Sequence, residues 1–262
     1  MDVRAMDLLD RRALALLRLV DVYGRTVTAP VGIRGDGVTS VRRNDGTIAI
    51  LSASGLESYV ASFLTPSTPA VESRQVTLDL DPASAEVTPR RFDLSLPRSA
   101  DPAKAGQPGS VFRSIDVEML PGQGARLIGS ACALRVTVRR KSDKKLVQNA
   151  LVRARSEDEQ FLARGVTDAR GETTLIFPAL PIAFPGAGAN LQPDLAARVA
   201  VTVDPGSVVF NPAASIARQI QTIPPFIDPD KLGSTDANFA SGTPVTIRAG
   251  REISITLEWT QP

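Results

Sequence analysis

"LRVTVRRKSDKKLVQNALVRARSEDEQFLARGVTDARGETTLIF", residues 134–177, decides the fold. Leu134, Val136 and Val138 alternate with Arg135, Thr137 and Arg139, the two-residue period of a strand with one face buried and the other in water. A polar turn follows, then a second apolar run from Ala150 to Arg155, and then Thr167-Asp168-Ala169-Arg170-Gly171 before a third. Short alternating runs cut by Gly, Pro and Asp are the pattern of antiparallel sheets.

The same habit runs outward in both directions. Val76, Leu78 and Leu80 alternate with polar residues, as do Phe92, Leu94 and Leu96, then Val199, Val201 and Val203, and finally Ile253, Ile255 and Leu257. Two segments depart from it. Leu56, Tyr59, Val60, Phe63 and Leu64 recur at helical spacing with Ser54 as a cap, which predicts a short helix over 54–64. Met6, Leu9, Ala13, Leu16 and Leu17 do the same near the start, with Asp2 or Asp7 as caps, which predicts an N-terminal helix over 1–16.

The chain also repeats itself. Leu17 and Leu134, Ala29 and Ala150, Gly46 and Gly171, and Asp81-Pro82 and Asp204-Pro205 stand in the same order, 117, 121, 125 and 123 residues apart. Collinear landmarks with slowly drifting offsets point to one module used twice. The expected organisation is a first β-sandwich over 17–97, a linker over 98–109 rich in Pro, Gly and charge, and a second sandwich over 110–262. The second copy is longer because residues 211–242 interrupt its alternation. A stretch of that length without periodicity packs on a partner or closes the end of its own sandwich. Its apolar Ile216, Ile220, Ile223, Phe226 and Ile227 make it the candidate partner contact, and both readings stand.

Within 134–177 the residues resemble the carboxypeptidase-regulatory-like, or transthyretin-like, β-sandwich modules. The matching elements are Val136 to Arg139, the turn Lys141 to Asn149, Ala150 to Arg155, and the Thr167-Asp168-x-x-Gly171 signature. The closing "VTIRAGREISITLEW", 245–259, looks like that family's final hairpin, with its turn at Ala249-Gly250. The first copy keeps strand, turn and strand in "VDVYGRTVTAPVGI" but has "RRNDG" where the signature should stand. The resemblance implies an immunoglobulin-like or transthyretin-like sandwich serving as a non-catalytic accessory or assembly module.

Composition narrows the chemistry. Among 262 residues there is no histidine and one cysteine, Cys132. The commonest general base and transition-metal ligand is therefore missing, and neither an internal disulfide nor a four-ligand Cys/His zinc site can form. Cys132 sits between two alanines before a strand, the setting of a buried structural thiol. The 30 basic and 28 acidic residues nearly balance, and 5% aromatic content offers no stacking surface, so nucleic acid is not indicated. The densest basic stretch, Arg139 to Lys145, reads as a solvated hairpin turn. No apolar run is long enough for a membrane helix. The N-terminal segment lacks the pattern of a signal peptide, so a cytoplasmic protein is expected, one that leaves the cell only by lysis or a dedicated machine.

Three short features invite functional readings. Arg34-Gly35-Asp36 follows a strand and reads as a turn. Asp228, Asp230, Gly233 and Asp236 approach a calcium-loop register, but Leu232 and Phe239 occupy positions that need oxygen ligands. A different calcium site around Asp228 and Asp230 stays open. Asp79, Asp81, Glu86 and Asp93 cluster in sequence, yet Asp79 and Asp93 fall on polar strand faces rather than across a cleft. No phosphate loop, nucleophile elbow or dinucleotide fingerprint is present. No catalytic residue, cofactor or metal is expected. The expected role is that of a non-enzymatic structural or adaptor protein, a two-module component of a larger assembly with protein subunits, or further copies of itself, as partners. A phage tail or phage-derived contractile injection system is the first machine to check. A carbohydrate or surface-ligand module is the alternative, disfavoured because Trp259, Tyr23 and Tyr59 fall in expected strands or a helix, where burial is usual.

Overall fold

The computed structural model describes residues 13–61, 68–157, 162–178, 194–203, 209–211, 226–232, 242–248 and 250–260. The chain divides into two compact units: residues 1–19, 33–78 and 92–117, and residues 20–32, 79–91 and 118–262. Residues 98–109, expected as a linker between modules, thus lie inside the first unit. They are tied into a loop, because Ser99 N–H donates to Gly109 and Val111 N–H donates back to Ser99, at 2.8 and 2.9 Å. Asp101 caps a single turn at Pro102–Lys104, and Arg98 at the base of the loop is buried.

The fold is all-β. The earlier strands are β1 (Ala15–Val20), β2 (Val31–Arg34), β3 (Thr39–Arg42), β4 (Ile48–Ser52), β5 (Arg74–Pro82), β6 (Arg90–Leu96) and β7 (Ile115–Glu118). One sheet runs β3-β4-β1-β7 and another β2-β5-β6. The later strands are β8 (Cys132–Arg140), β9 (Leu146–Gln148), β10 (Leu151–Ser156), β11 (Leu162–Val166), β12 (Glu172–Phe177), β13 (Asp194–Thr202), β14 (Val209–Asn211), β15 (Thr243–Arg248) and β16 (Glu252–Trp259). They form the sheet β11-β10-β13-β15 and the sheet β12-β8-β9-β14, with β16 running parallel along β8.

One pairing order is used twice. β1 lies beside β4 and β7, and β5 lies between β2 and β6. In the same sequence order β8 lies beside β12 and β16, and β13 lies between β10 and β15. The two schemes part at the third strand: β3 pairs with β4, whereas β11 pairs with β10. The inward residues expected from alternation form the cores. Leu78, Leu80, Leu94 and Leu96 are buried, and Leu134, Val136, Val138, Val199 and Leu257 close on Phe177 and Ile247 in the second unit. A helix over 54–64 is present as α1 (Glu57–Ala61), with Leu56 and Tyr59 buried; Phe63 and Leu64 lie outside the described residues.

Two expectations are corrected. The N-terminal helix over 1–16 fails at its end, since Ala15 and Leu16 already belong to β1; residues 1–12 lie outside the described ones. Ala13, Leu16 and Leu17 fit a helical spacing while Ala15, Leu17 and Leu19 fit a two-residue one, and pairing of Ala15 to Leu17 with Ile50 to Ile48 of β4 settles it as a strand. The closing strands do not make a hairpin. The turn at Gly250, with φ of 67°, carries the chain from the β13 side of the sandwich to the β8 side, so β15 and β16 end in different sheets.

The two turn glycines share one local frame. Arg43 N–H donates to Thr47 and Gly46 N–H to Arg43; Asp168 N–H donates to Glu172 and Gly171 N–H to Asp168. Gly46 and Gly171 have φ of 82° and 66°, a region open to glycine at little cost. A Cβ on Gly171 would also stand 2.9 Å from the Val138 carbonyl oxygen. The frame closes the β3–β4 hairpin in one place and turns the corner between two sheets in the other.

The Thr-Asp signature has a mechanical reason at that corner. Thr167 is buried; its hydroxyl donates to the Val147 carbonyl at 2.7 Å and accepts from Ala150 N–H at 2.8 Å. Asp168 Oδ1 accepts from the N–H groups of Arg170 and Glu172. Thr167→Val keeps the shape and strands both partners, and is expected to cost about 1–3 kcal/mol in denaturant unfolding, with Thr167→Ser recovering most of it.

Candidate functional site

Of the insertion, Phe226–Leu232 are described, and they lie in the second unit. Ile227 is 5% exposed and packs on Leu120, Leu151 and Val166. Its carbonyl accepts from Arg91 N–H at 2.7 Å. Asp228 Oδ1 accepts from Asp230 N–H at 3.0 Å, and a buried Pro229 opens the short turn α2 (Pro229–Leu232), as an Asp cap followed by Pro prescribes. Of the sequence candidates for a partner contact, Ile227 therefore fills its own domain and Phe226 is half-buried. Ile216, Ile220 and Ile223 lie outside the described residues.

Two arginines hold this segment. Arg90 is 1% exposed; its Nη1 donates to the Glu118 carbonyl at 2.6 Å and its Nη2 to Asp230 Oδ2 at 2.5 Å, with Asp228 at 3.7 Å. Arg164 of β11 donates from Nη1 to the other oxygen of Asp230 at 2.6 Å and from Nε to Glu118 Oε2 at 3.2 Å. The antiparallel register sets Arg164 opposite Arg153 and Val166 opposite Leu151, so apolar and basic residues share one face of the β10–β11 pair. Alternation carried back from Leu96 and Leu94 puts Arg90 on the inward face of β6. That parity is the sign of its burial in the sequence.

Burial pushes the Asp230 carboxyl up, and hydrogen bonds and charge from Arg90 and Arg164 outweigh it, leaving the group below the usual carboxylate range. A depressed carboxylate stabilises the fold above its unfolded value, about 3.9, and that contribution is lost as pH falls below it. The melting-temperature gap between the wild type and Asp230→Asn is therefore expected to hold at neutral pH and to close as the acid range is entered. The same pairing bears on calcium. Both oxygens of Asp230 are taken by guanidinium groups, where calcium needs six to eight oxygen ligands. Millimolar calcium is expected to leave the melting temperature unchanged, and chelator likewise.

A second concave surface lies within the same unit. A cleft of about 600 Å³ has Val27, Val87, Met119 and Ile176 among its apolar walls, with exposed Leu127 and Ile128 at its edge. Tyr23 stands in the turn after β1 rather than in a strand, and its hydroxyl bridges residues 126–128, donating to the Arg126 carbonyl at 3.1 Å and accepting from Ile128 N–H at 3.2 Å. Burial raises the Tyr23 pKa. The charged groups around the cleft are paired: Arg25 with Asp21, and Arg126 with Glu86.

The features that invited chemistry are placed as follows. Asp79 pairs with Arg91 and Asp93 accepts from Thr77. Gly35 and Asp36 form a turn, and a Cβ on Gly35 would meet Val38 at 2.7 Å. Cys132 is buried in the second core, and burial pushes its thiol up to about 11. The basic stretch forms the β8–β9 hairpin turn, where Asp143 takes Arg140 and Lys145 and Glu258 takes Lys144. Among the described residues no group of three His, Cys, Asp or Glu side chains is set to hold a metal ion, and no helix is long and apolar enough to cross a membrane.

No protein-family model matches the chain, and no curated protein does. Among solved structures it is similar to the Bacillus anthracis TIE protein, at 10% identity and a TM-score of 0.28, over 95% of this chain and 34% of that one. It is similar to GBS52, the minor pilin of Streptococcus agalactiae, at 9% and 0.26, over 95% of this chain and 96% of that one. BcpA, the major pilin subunit of Bacillus cereus, follows at 9% and 0.27, over 88% and 55%. The chain thus spans about a third of the Bacillus anthracis protein. Likeness at this level fixes neither family nor role.

Proposed function

We propose that the chain is a non-enzymatic structural or adaptor protein, a two-module component of a larger protein assembly. The observation that carries this reading is the weave of Arg90, Arg164, Asp230 and Glu118, a charge network around one buried arginine that pins one segment of chain to a sheet. Charges arranged to work on a substrate are left with an unmet partner; these are saturated by one another. The finer reading is a part of a phage tail or a phage-derived contractile injection system, built from transthyretin-like, carboxypeptidase-regulatory-like modules. Purified alone and with the products of neighbouring genes, the chain is expected to form a defined complex by light scattering. A chain that stays monomeric and binds none of them would sink the reading.

The Tyr23 cleft favours a second reading, a carbohydrate or other surface-ligand module, since its volume falls in the range of small-molecule sites. Hits on a glycan array that vanish with Tyr23→Ala would promote it.

A further inference from the structure

We infer that the groove on the β10–β11 face is a peptide-recognition site whose second occupant, beside the chain's own Phe226–Leu232, is the same segment of another copy. This rests on the assembly reading and supplies its contact. The occupant seen in the structure shows what the groove selects: an aliphatic anchor, Ile227, on Leu120, Leu151 and Val166, and three residues later a carboxylate, Asp230, forked between Arg90 and Arg164. Anchor and fork lie within seven consecutive residues, so the recognition is portable. A buried aliphatic group beside a guanidinium-bound carboxylate is the composition of an interface centre.

The connections permit exchange. Fourteen residues separate Asn211 from Phe226 and ten separate Leu232 from Thr243. At full extension these reach at most roughly 46 Å and 33 Å, enough to hand the segment to an adjacent copy. In a dilute monomer the tether keeps the segment at home through its high local concentration. Copies held side by side offer each other's grooves at comparable concentration, and the same contacts then link them, as in domain swapping.

The test is complementation between two full-length variants. Arg164→Glu spoils the groove and leaves the segment intact; Ile227→Asp with Asp230→Arg spoils the segment and leaves the groove intact. Each alone is expected to run as a monomer, and an equal mixture to give a species of twice the monomer mass. The peptide PPFIDPDKLG, residues 224–233, is expected to bind the segment-spoiled variant and to bind at least about tenfold more weakly once Arg164→Glu is added. A mixture of folded variants that stays monomeric overturns the inference, as does peptide binding indifferent to Arg164. Should either variant fail to fold, a benzophenone side chain at Phe226 of the otherwise wild-type chain replaces them. Crosslinked dimers joining position 226 of one copy to the groove of another support exchange, and intramolecular links alone overturn it. A chain that binds its neighbours' products without exchange loses this inference and keeps the assembly reading.

Discussion

Arg90→Ala is expected to lower unfolding stability by about 3–5 kcal/mol, the cost of emptying the space of a large buried side chain and stranding the acceptors it satisfies. The side chain is 1% exposed and donates to the Glu118 carbonyl, to Asp230 and, from Nε, to the Arg91 carbonyl. Truncation strands these acceptors, and Asp230 keeps only Arg164. Loss of the anchor is expected to be local as well as global: amide exchange at Ile227–Leu232 accelerates more than exchange in β8. Arg90→Met separates the two contributions, since it refills the volume without the charge and is expected to recover part of the stability while leaving the segment loose. Urea unfolding with hydrogen exchange by mass spectrometry measures both. A loss below about 1 kcal/mol, the value of an exposed ion pair, would mean that the guanidinium is solvated and the weave is decoration.

Phe177→Ala is expected to cost a similar amount, about 3–5 kcal/mol, by a different route. Phe177 ends β12, is fully buried, and sits opposite Cys132 in the ladder with β8. It belongs to one core cluster with Leu134, Val136, Val152 and Ile247, residues drawn from both sheets of the second unit. The cavity left behind loosens the packing around Cys132, whose thiol is otherwise inert through burial. The variant is therefore expected to react with a thiol reagent such as DTNB in native buffer, while the wild type reacts only after unfolding. A calorimetric scan gives the stability, and the absorbance of the released thiolate gives the exposure.

The strands were legible because their information is local. Leu134 to Val138, Val76 to Leu80 and Leu94 to Leu96 each state a face by alternation, and each buries that face. The turns at Gly46 and Gly171 were legible for the same reason, since a glycine closing a polar run leaves a mark in sequence. What failed depends on partners far along the chain. Leu17 belongs to a helical set with Ala13 and Leu16 and to a strand set with Ala15 and Leu19 until β4, some thirty residues on, supplies hydrogen-bond partners. Residues 98–109 have a linker's composition, and only the Ser99 and Val111 hydrogen bonds show that they close on themselves. Asp228 and Asp230 spelled half a calcium loop because their counter-ion, Arg90, lies 140 residues from Asp230. Tyr23 continues the apolar run of β1 in sequence, but the Asp21–Arg25 contacts close a turn around it.

The parallel ladder between β8 and β16 has a further consequence. From Ala133 beside Glu252 to Arg140 beside Trp259, eight rungs join the first and last strands of the second sandwich in one direction. Tension applied between Cys132 and Trp259 runs along these strands, so the rungs are loaded in shear and must break together. An antiparallel pair pulled from its open end would peel one rung at a time. A load applied along the chain between these two strands therefore meets all eight rungs at once.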